Sequence, residues 1–405
     1  MNMIKTQLQN DRNIQFGETV NSNEFTKNSL LDYLNNIESE ITPEVINTNN
    51  WHNIKIVASL LPQSLTNFFG FEYRLGDNTS YTDFLICASD DGAGKKVIGN
   101  KDFSINLPSF LMEKEEWKNL NNFGQHWNQT SSPLYNLVHN VWLEFDIEET
   151  ISTTPIPSIF FALLPPENQQ KNVQIAIDVS HPYQWVTETA LPLLLNRQLP
   201  EKVKEKVLQC FDNLPQDAYI FQIGLMLARK VYAVRLCIRN IQTQAIIPFL
   251  KSMNWLGCSD NLAQLLKELE TVVDRIDLDI DVGENIYPKI GLECYLAKQP
   301  SLEPKWNLFL DYLVTKGLCT PEKQDKLLNY PGYVRERDFS QPLSVGTLKL
   351  NQLLGNKYES VFFKGLHHIK LTYQNQEVLE AKSYLYVSHN RINIAEFNAI
   401  REGAK

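Results

Sequence analysis

The sequence lacks the signatures of several protein classes. Its six cysteines, at positions 87, 210, 237, 258, 294 and 319, show no CxxC spacing. This argues against a zinc site and a disulfide framework, so we expect buried thiols. No apolar run approaches the roughly 20 residues that a membrane-spanning helix needs. The first residues, MNMIKTQLQNDRN, contain no apolar signal core, so we expect a cytoplasmic protein.

A basic excess is also missing. The net charge is −9, which argues against a general nucleic-acid binder, because phosphates require a positive field. What is present is the composition of an ordinary globular protein, with 43% hydrophobic and 21% charged residues in a chain of 405. The Asn-rich start predicts a partly ordered N-terminal extension over residues 1–50. A single domain over residues 51–405 should follow.

One unit, a pair of strands followed by helical sequence, repeats along most of the chain. The first pair lies at 69–89 around the turn GDNTS. The later pairs lie at 141–147 with 157–164, 219–228 with 230–240, 275–282 with 288–297, and within 367–389. The turns inside the pairs are too short for a parallel crossover, so the paired strands must be antiparallel.

The strand pattern predicts closure of the sheet. Ten strands in an open sheet would leave long unpaired edges, and closure removes them. One strand face is strongly apolar, as in Ile276, Leu278 and Ile280, and should meet the helices, leaving the polar faces to line a central chamber. We therefore predict an α+β fold, in which repeated αββα units form a ten-stranded antiparallel barrel surrounded by helices. A barrel of this width leaves room for a ligand.

This order of units resembles the ABBA barrel of aromatic prenyltransferases over roughly residues 55–390. In the indole-prenylating branch of that family, inward Lys-x-Tyr and Gln-x-Tyr pairs recur on the second strands of the units. The resemblance implies that the cations bind a diphosphate and that the tyrosines shield an allylic cation. The matching pairs here are Lys230 with Tyr232, Glu293 with Tyr295, and Lys382 with Tyr384.

The chemistry of prenyl transfer accounts for these residue types. Ionising an allylic diphosphate releases pyrophosphate, whose charge needs basic side chains or a divalent metal ion. The carbocation left behind is stabilised by aromatic faces and must be kept from water. The candidate diphosphate ligands are Lys230, Arg235, Lys289, Lys370 and Lys382, and the candidate shield or substrate-binding residues are Trp142, Gln222, Tyr232, Tyr295, Tyr384 and Tyr386.

Two glutamates are candidates for the catalytic role. The family uses a glutamate on an early strand to accept the indole N–H, and Glu72 in FGFEYRLG is the nearest positional match. Glu144 in VWLEFD is the second. Alternatively, all of these polar candidate residues could simply form the solvent-facing side of a sheet. The adjacent His367 and His368 should point to opposite faces of their strand.

The densest acidic set lies in RIDLDIDVGE, where Asp277, Asp279 and Asp281 alternate on one face. Oxygen ligands on a rigid strand suit Mg²⁺ that bridges to a diphosphate, so Mg²⁺ is a candidate cofactor. The same carboxylates could instead pair with Lys289 and Arg275 across the hairpin.

The leading hypothesis is a transferase that moves a prenyl group from a prenyl diphosphate to an electron-rich aromatic small molecule or peptide side chain. A second is a terpene-cyclase-like reaction that uses Mg²⁺ and no separate acceptor. A third is a non-catalytic barrel that binds a hydrophobic metabolite or peptide. The third is favoured because the second strand of the first unit has no arginine, whereas the family has an arginine there as a phosphate ligand. PSIFFALL, which has phenylalanines in place of a Lys-x-Tyr pair, also favours it.

Overall fold

The structure is a computed structural model. It describes residues 29–76, 81–89, 93–102, 107–147, 154–165, 181–229, 233–341, 349, 352–355, 357–395 and 397.

Ten strands form a closed antiparallel barrel. They are β1 (Phe68–Arg74), β2 (Thr82–Ser89), β3 (Val138–Phe145), β4 (Ser158–Leu163), β5 (Tyr219–Leu225), β6 (Val234–Arg239), β7 (Arg275–Val282), β8 (Ile286–Tyr295), β10 (Tyr358–Gln374) and β11 (Glu377–Asn393). Neighbours follow chain order from β1 to β8. β8 then pairs with β10, β10 with β11, and β11 with β1, which closes the ring.

The barrel confirms the predicted fold and the five strand pairs, with two additions. A short strand, β9 (Gly332–Arg335), lies outside the ring and pairs with the first part of β10. The last hairpin is also longer than predicted, since β10 and β11 have 17 residues each. Their outer halves pair with each other beyond the barrel, where β9 joins them.

Helices cover the outside of the barrel. The described helices are α1 (Leu31–Ile37), α2 (Thr48–Ser59), α3 (Gly94–Ile98), α4 (Glu115–Asn128), α5 (Pro133–Leu137), α6 (Leu191–Leu195), α7 (Glu201–Asp212), α8 (Thr243–Ser252), α9 (Asp260–Glu270), α10 (Lys305–Thr315) and α11 (Pro321–Asn329). In α4, Trp117, Leu120 and Phe123 recur at helical spacing and are fully buried, so this face packs on the barrel wall. No helix in the described part of the chain is long and apolar enough to cross a membrane.

The apolar core lies between the strands and the helices. Leu278 and Ile280 on β7, with Leu292 on β8, are completely buried on the outer face of the barrel. The alternate residues of the same strands point inward and are polar. This alternation is the predicted one, and it gives the barrel a polar lumen, the space enclosed by the ten strands.

The chain before residue 51 also contributes to the core. Leu34 and Ile37 of α1 are fully buried, and the ring of Tyr33 stacks on Phe69 of β1 at 6.4 Å between centroids. The predicted extension over residues 1–50 stays a prediction for residues 1–28, which lie outside the described residues.

Candidate functional site

A cavity in the lumen, here the central cavity, is the candidate site. It has a volume of about 540 Å³ including the space at its mouth. Its lining residues are Glu72, Glu144, Ser158, Met226, Arg229, Arg235, Asp279, Asp281, Lys289, Ile290, Gly291, Lys370, Thr372, Glu380, Lys382 and Tyr384.

Glu72 lies on β1 beside β11, and two side chains of β11 bind its carboxylate. Lys382 Nζ donates to Glu72 Oε1 at 2.8 Å, and the Tyr384 hydroxyl donates to Oε2. The strand register explains this contact, because Glu72 is the cross-strand partner of Tyr384. Burial opposes the carboxylate charge, but Lys382 and Tyr384 outweigh it and hold the pKa of Glu72 well below its usual range. Glu72 is therefore ionised at neutral pH.

Glu144 on β3 has the opposite protonation state. Burial, reinforced by the negative charge of Glu72, raises the pKa of Glu144 to about 8. At neutral pH an ionised Glu72 and a protonated Glu144 therefore both line the cavity. Carboxyl groups whose environments separate their pKa values in this way are suited to distinct roles in proton transfer and hydrogen bonding.

Apart from Lys289, the predicted cations that line the central cavity are paired with carboxylates. Arg235 on β6 forms a bidentate contact with Asp281, with N···O distances of 2.8 and 2.9 Å. Lys370 on β10 reaches over β8 and donates to Asp279 of β7. Lys289 differs, since no carboxylate oxygen in the described part of the chain lies within 4.0 Å of its Nζ.

The three aspartates of β7 each face a different partner. Asp277 contacts Arg239 at 3.2 Å and Arg275 at 3.1 Å, whereas Asp279 and Asp281 contact Lys370 and Arg235. Among the residues described, no group of three His, Cys, Asp or Glu side chains could hold a metal ion. This arrangement does not suit Mg²⁺ held by the three aspartates, and the Mg²⁺ hypothesis stays a prediction.

An aromatic stack lies beside the central cavity. The His368 ring lies between Tyr384, at 4.2 Å and 13°, and Tyr295, at 4.7 Å and 29°. The Tyr295 hydroxyl donates to Glu293 Oε2 at 2.7 Å. Tyr384 thus contacts both the stack and Glu72, which links the predicted shield residues to the cavity. Tyr295 is inward as predicted but does not line the cavity.

The prediction that His367 and His368 face opposite sides of their strand is wrong. The pairing of β10 with β11 shifts between Leu366 and His368, so His367 is the extra residue of a β-bulge. The bulge brings both imidazoles to the lumen side, where their Nδ1 atoms are 2.7 Å apart. Simple alternation could not indicate this, because a bulge changes the phase of the strand.

A further aromatic group lies on the lumen face of β1, β3 and β11. Phe68 stacks on Tyr386 at 5.6 Å and meets Trp142 edge-on at 5.7 Å. Tyr386 and Trp142 are thus inward, but they do not line the central cavity. Gln222 of β5 does not line it either. The predicted residues Lys230 and Tyr232 lie outside the described residues.

Some cavity residues were missed by the sequence reasoning. Arg229 binds Asp146 through two contacts, at 2.5 and 2.8 Å, and lines the cavity although it follows the end of β5. Strand alternation does not extend into a turn, so its direction could not be read from the pattern. Glu380 of β11, which is 3.3 Å from Lys382, shares the inward face of that residue and could have been found by the same alternation.

Comparisons with known proteins were made for the whole chain. No family model and no curated protein matches it. The solved structures that are similar to it include two at 11% identity. The crystal structure of AnaPT from Neosartorya fischeri covers 93% of this chain and 95% of its own, with a TM-score of 0.45. The apo structure of the prenyltransferase PriB covers 88% and 94%, with a TM-score of 0.47.

At this level of similarity, neither structure indicates the function of this chain. The ABBA-barrel architecture rests on the strand order and closure of the chain itself, which confirm the expected fold.

Proposed function

We propose that the protein is a prenyltransferase-like enzyme. It would transfer an allylic prenyl group from a prenyl diphosphate to an electron-rich aromatic acceptor inside the barrel. The observation that carries the proposal is the convergence of basic side chains from four strands on one cavity that also contains Glu72 and Tyr384. These cations are Arg235, Lys289, Lys370 and Lys382.

The cations supply what a departing diphosphate needs. Ammonium and guanidinium groups bind phosphate oxygens through charge-assisted hydrogen bonds, and a partly enclosed site strengthens them. Lys289 is the first candidate ligand, because it lacks a carboxylate partner within 4.0 Å among the described residues. Lys370 and Arg235 would have to leave their aspartates. Tyr384 would present an aromatic ring to the allylic cation, and His368 stacks on that ring.

Glu72 and Glu144 would bind the acceptor. An ionised carboxylate has room for about four hydrogen bonds, so Glu72 can accept an acceptor N–H or O–H in addition to Lys382 and Tyr384. Its negative charge would also stabilise a neighbouring carbocation. Glu144, protonated at neutral pH, would donate a hydrogen bond without adding charge to the cavity.

The proposal is tested by calorimetric titration with dimethylallyl, geranyl and farnesyl thio-diphosphates, with and without Mg²⁺. These analogues ionise slowly, so binding is measured without turnover. We expect saturable binding that Lys289→Ala weakens about tenfold, as befits one charge-assisted contact. Lys382→Ala should weaken it as well.

The matched control is Lys364→Ala on β10. Lys364 is a buried lysine paired with Glu40 at 2.8 Å, but it does not line the central cavity, so donor binding should be unchanged. Circular dichroism of each variant shows whether the fold is retained. If none of the three analogues binds the native protein, the proposal is wrong.

A product assay separates the two enzymatic hypotheses. Isotopically labelled prenyl diphosphate is incubated with and without a panel of indoles and phenols. Prenyl transfer predicts label on the acceptor. Cyclic or hydroxylated terpenoid formed without an acceptor would instead favour the cyclase-like alternative.

A further inference from the structure

We propose that Asp279 and Asp281 are internal counter-anions that occupy the position of the donor's diphosphate and so limit how tightly the barrel binds an anionic donor. This inference rests on the proposed function, since it concerns the same cations. It assigns the acidic strand β7 a role in donor affinity in place of a role in metal binding.

The pairing of charges across the central cavity supports the inference. Asp281 accepts hydrogen bonds from Nε and Nη2 of Arg235, and Asp279 accepts one from the ammonium of Lys370. All four side chains line the cavity. The oxygens of a diphosphate could replace these carboxylate oxygens, because arginine binds either kind of group through two hydrogen bonds and lysine binds either through its single ammonium charge. Donor and aspartates are therefore competitors for the same nitrogens.

A glycine on β8, the strand between β7 and β10, leaves room for Lys370 to reach Asp279. Gly291 lies under the lysine stem, and a Cβ at this position would come 2.5 Å from Lys370 Cε. A side chain at position 291 would have to displace the end of Lys370 from its present course over β8. The contact is thus shaped by three strands, β7, β8 and β10.

Asp277 provides an internal comparison on the same strand. It is fully buried and binds two guanidinium groups, those of Arg239 and Arg275. None of these three residues lines the central cavity. Removing the charge of Asp277 should therefore release cations that the donor does not meet.

The test is calorimetric titration of the full chain with inorganic pyrophosphate and with dimethylallyl thio-diphosphate. Asp281→Asn and Asp279→Asn should each bind both ligands about tenfold more tightly than the native protein. The first frees Arg235 and the second leaves Lys370 with only Glu293, at 4.0 Å, and neither changes side-chain size. Asp277→Asn should bind them as the native protein does. Circular dichroism verifies folding, and Asp281→Asn decides the matter if Asp279→Asn does not fold.

The outcomes separate the two proposals. If the native protein binds the donor analogue and neither Asp279→Asn nor Asp281→Asn binds it more tightly, the counter-anion inference is wrong while the proposed function stands. If Asp277→Asn tightens binding as much as the others do, the effect is one of overall charge and the inference also fails. If neither the native protein nor any variant binds either ligand, the proposed function fails together with the inference.

Discussion

At the scale of single residues, the pKa of Glu144 makes the protein sensitive to pH. Its pKa of about 8 lies above the usual value of 4.5, so the folded state holds a proton that the unfolded state has lost. Stability should therefore be highest near pH 5 and fall as pH rises toward 8. Asp83, with a pKa of about 7, and Asp277, with a pKa of about 6, are shifted in the same direction, both chiefly by burial.

Glu144→Gln should reduce this dependence. The amide is neutral at every pH, so the variant should match the native protein at pH 5.5 and exceed its free energy of unfolding at pH 9 by about 1–3 kcal/mol. Urea denaturation at the two pH values measures the difference. A variant whose stability falls with pH as steeply as that of the native protein would show that Glu144 is not protonated in the fold.

Residue patterns predicted the direction of most lumen side chains but only some of their partners. The alternative pairing of the acidic face with Arg275 is found at Asp277, whereas no pairing with Lys289 is found among the described residues. Alternation along β7 indicates that Asp277, Asp279 and Asp281 share a face. It does not indicate that each meets a different cation, because those partners come from β6, β10 and the start of β7 itself. Pairing between strands depends on strand order and register, which no local pattern specifies.

At the scale of elements, strand glycines make space for inward aromatic rings. Gly224 on β5 lies under Phe160 of β4, its cross-strand partner. A Cβ at Gly224 would come 2.1 Å from Phe160 Cδ1. Glycine at this position is explained by packing rather than by backbone conformation.

Gly224→Val should therefore destabilise the protein by about 1–3 kcal/mol, the usual range for overpacking. The double variant Gly224→Val with Phe160→Ala should recover part of that loss, because the clash is removed. Chemical denaturation of the two single variants and the double variant gives the coupling energy. Additive losses would indicate that the clash is not the cause.

Elements were predicted best where strands are long and turns short. β7 begins and ends where alternation predicted, at Arg275 and Val282. β9 was missed, since its four residues are too few for a pattern and it pairs only with the outer part of β10. The bulge at His367 was missed for a related reason, because an inserted residue is defined by its partner strand.

At the scale of the whole molecule, closure gives each barrel strand a neighbour on both sides, whereas β9 has one. β1 pairs with both β2 and β11, whereas among the strands that the structure describes β9 pairs only with β10. Amides of Gly332–Arg335 should therefore exchange with deuterium much faster than those of Phe68–Arg74, since an edge strand detaches without opening the ring. Native-state hydrogen exchange with mass spectrometry makes the comparison. Equal protection would mean that β9 opens only together with the barrel.

The glycines under aromatic rings have a consequence for engineering. At Gly224 the room beside the strand is taken by Phe160, and at Gly365 it is taken by Tyr386, whose ring would lie 2.5 Å from an added Cβ. At these two places an aromatic ring over bare backbone therefore takes up part of the lumen. Shortening one ring would enlarge the chamber locally and leave the wall intact. A designer could therefore resize this barrel one side chain at a time.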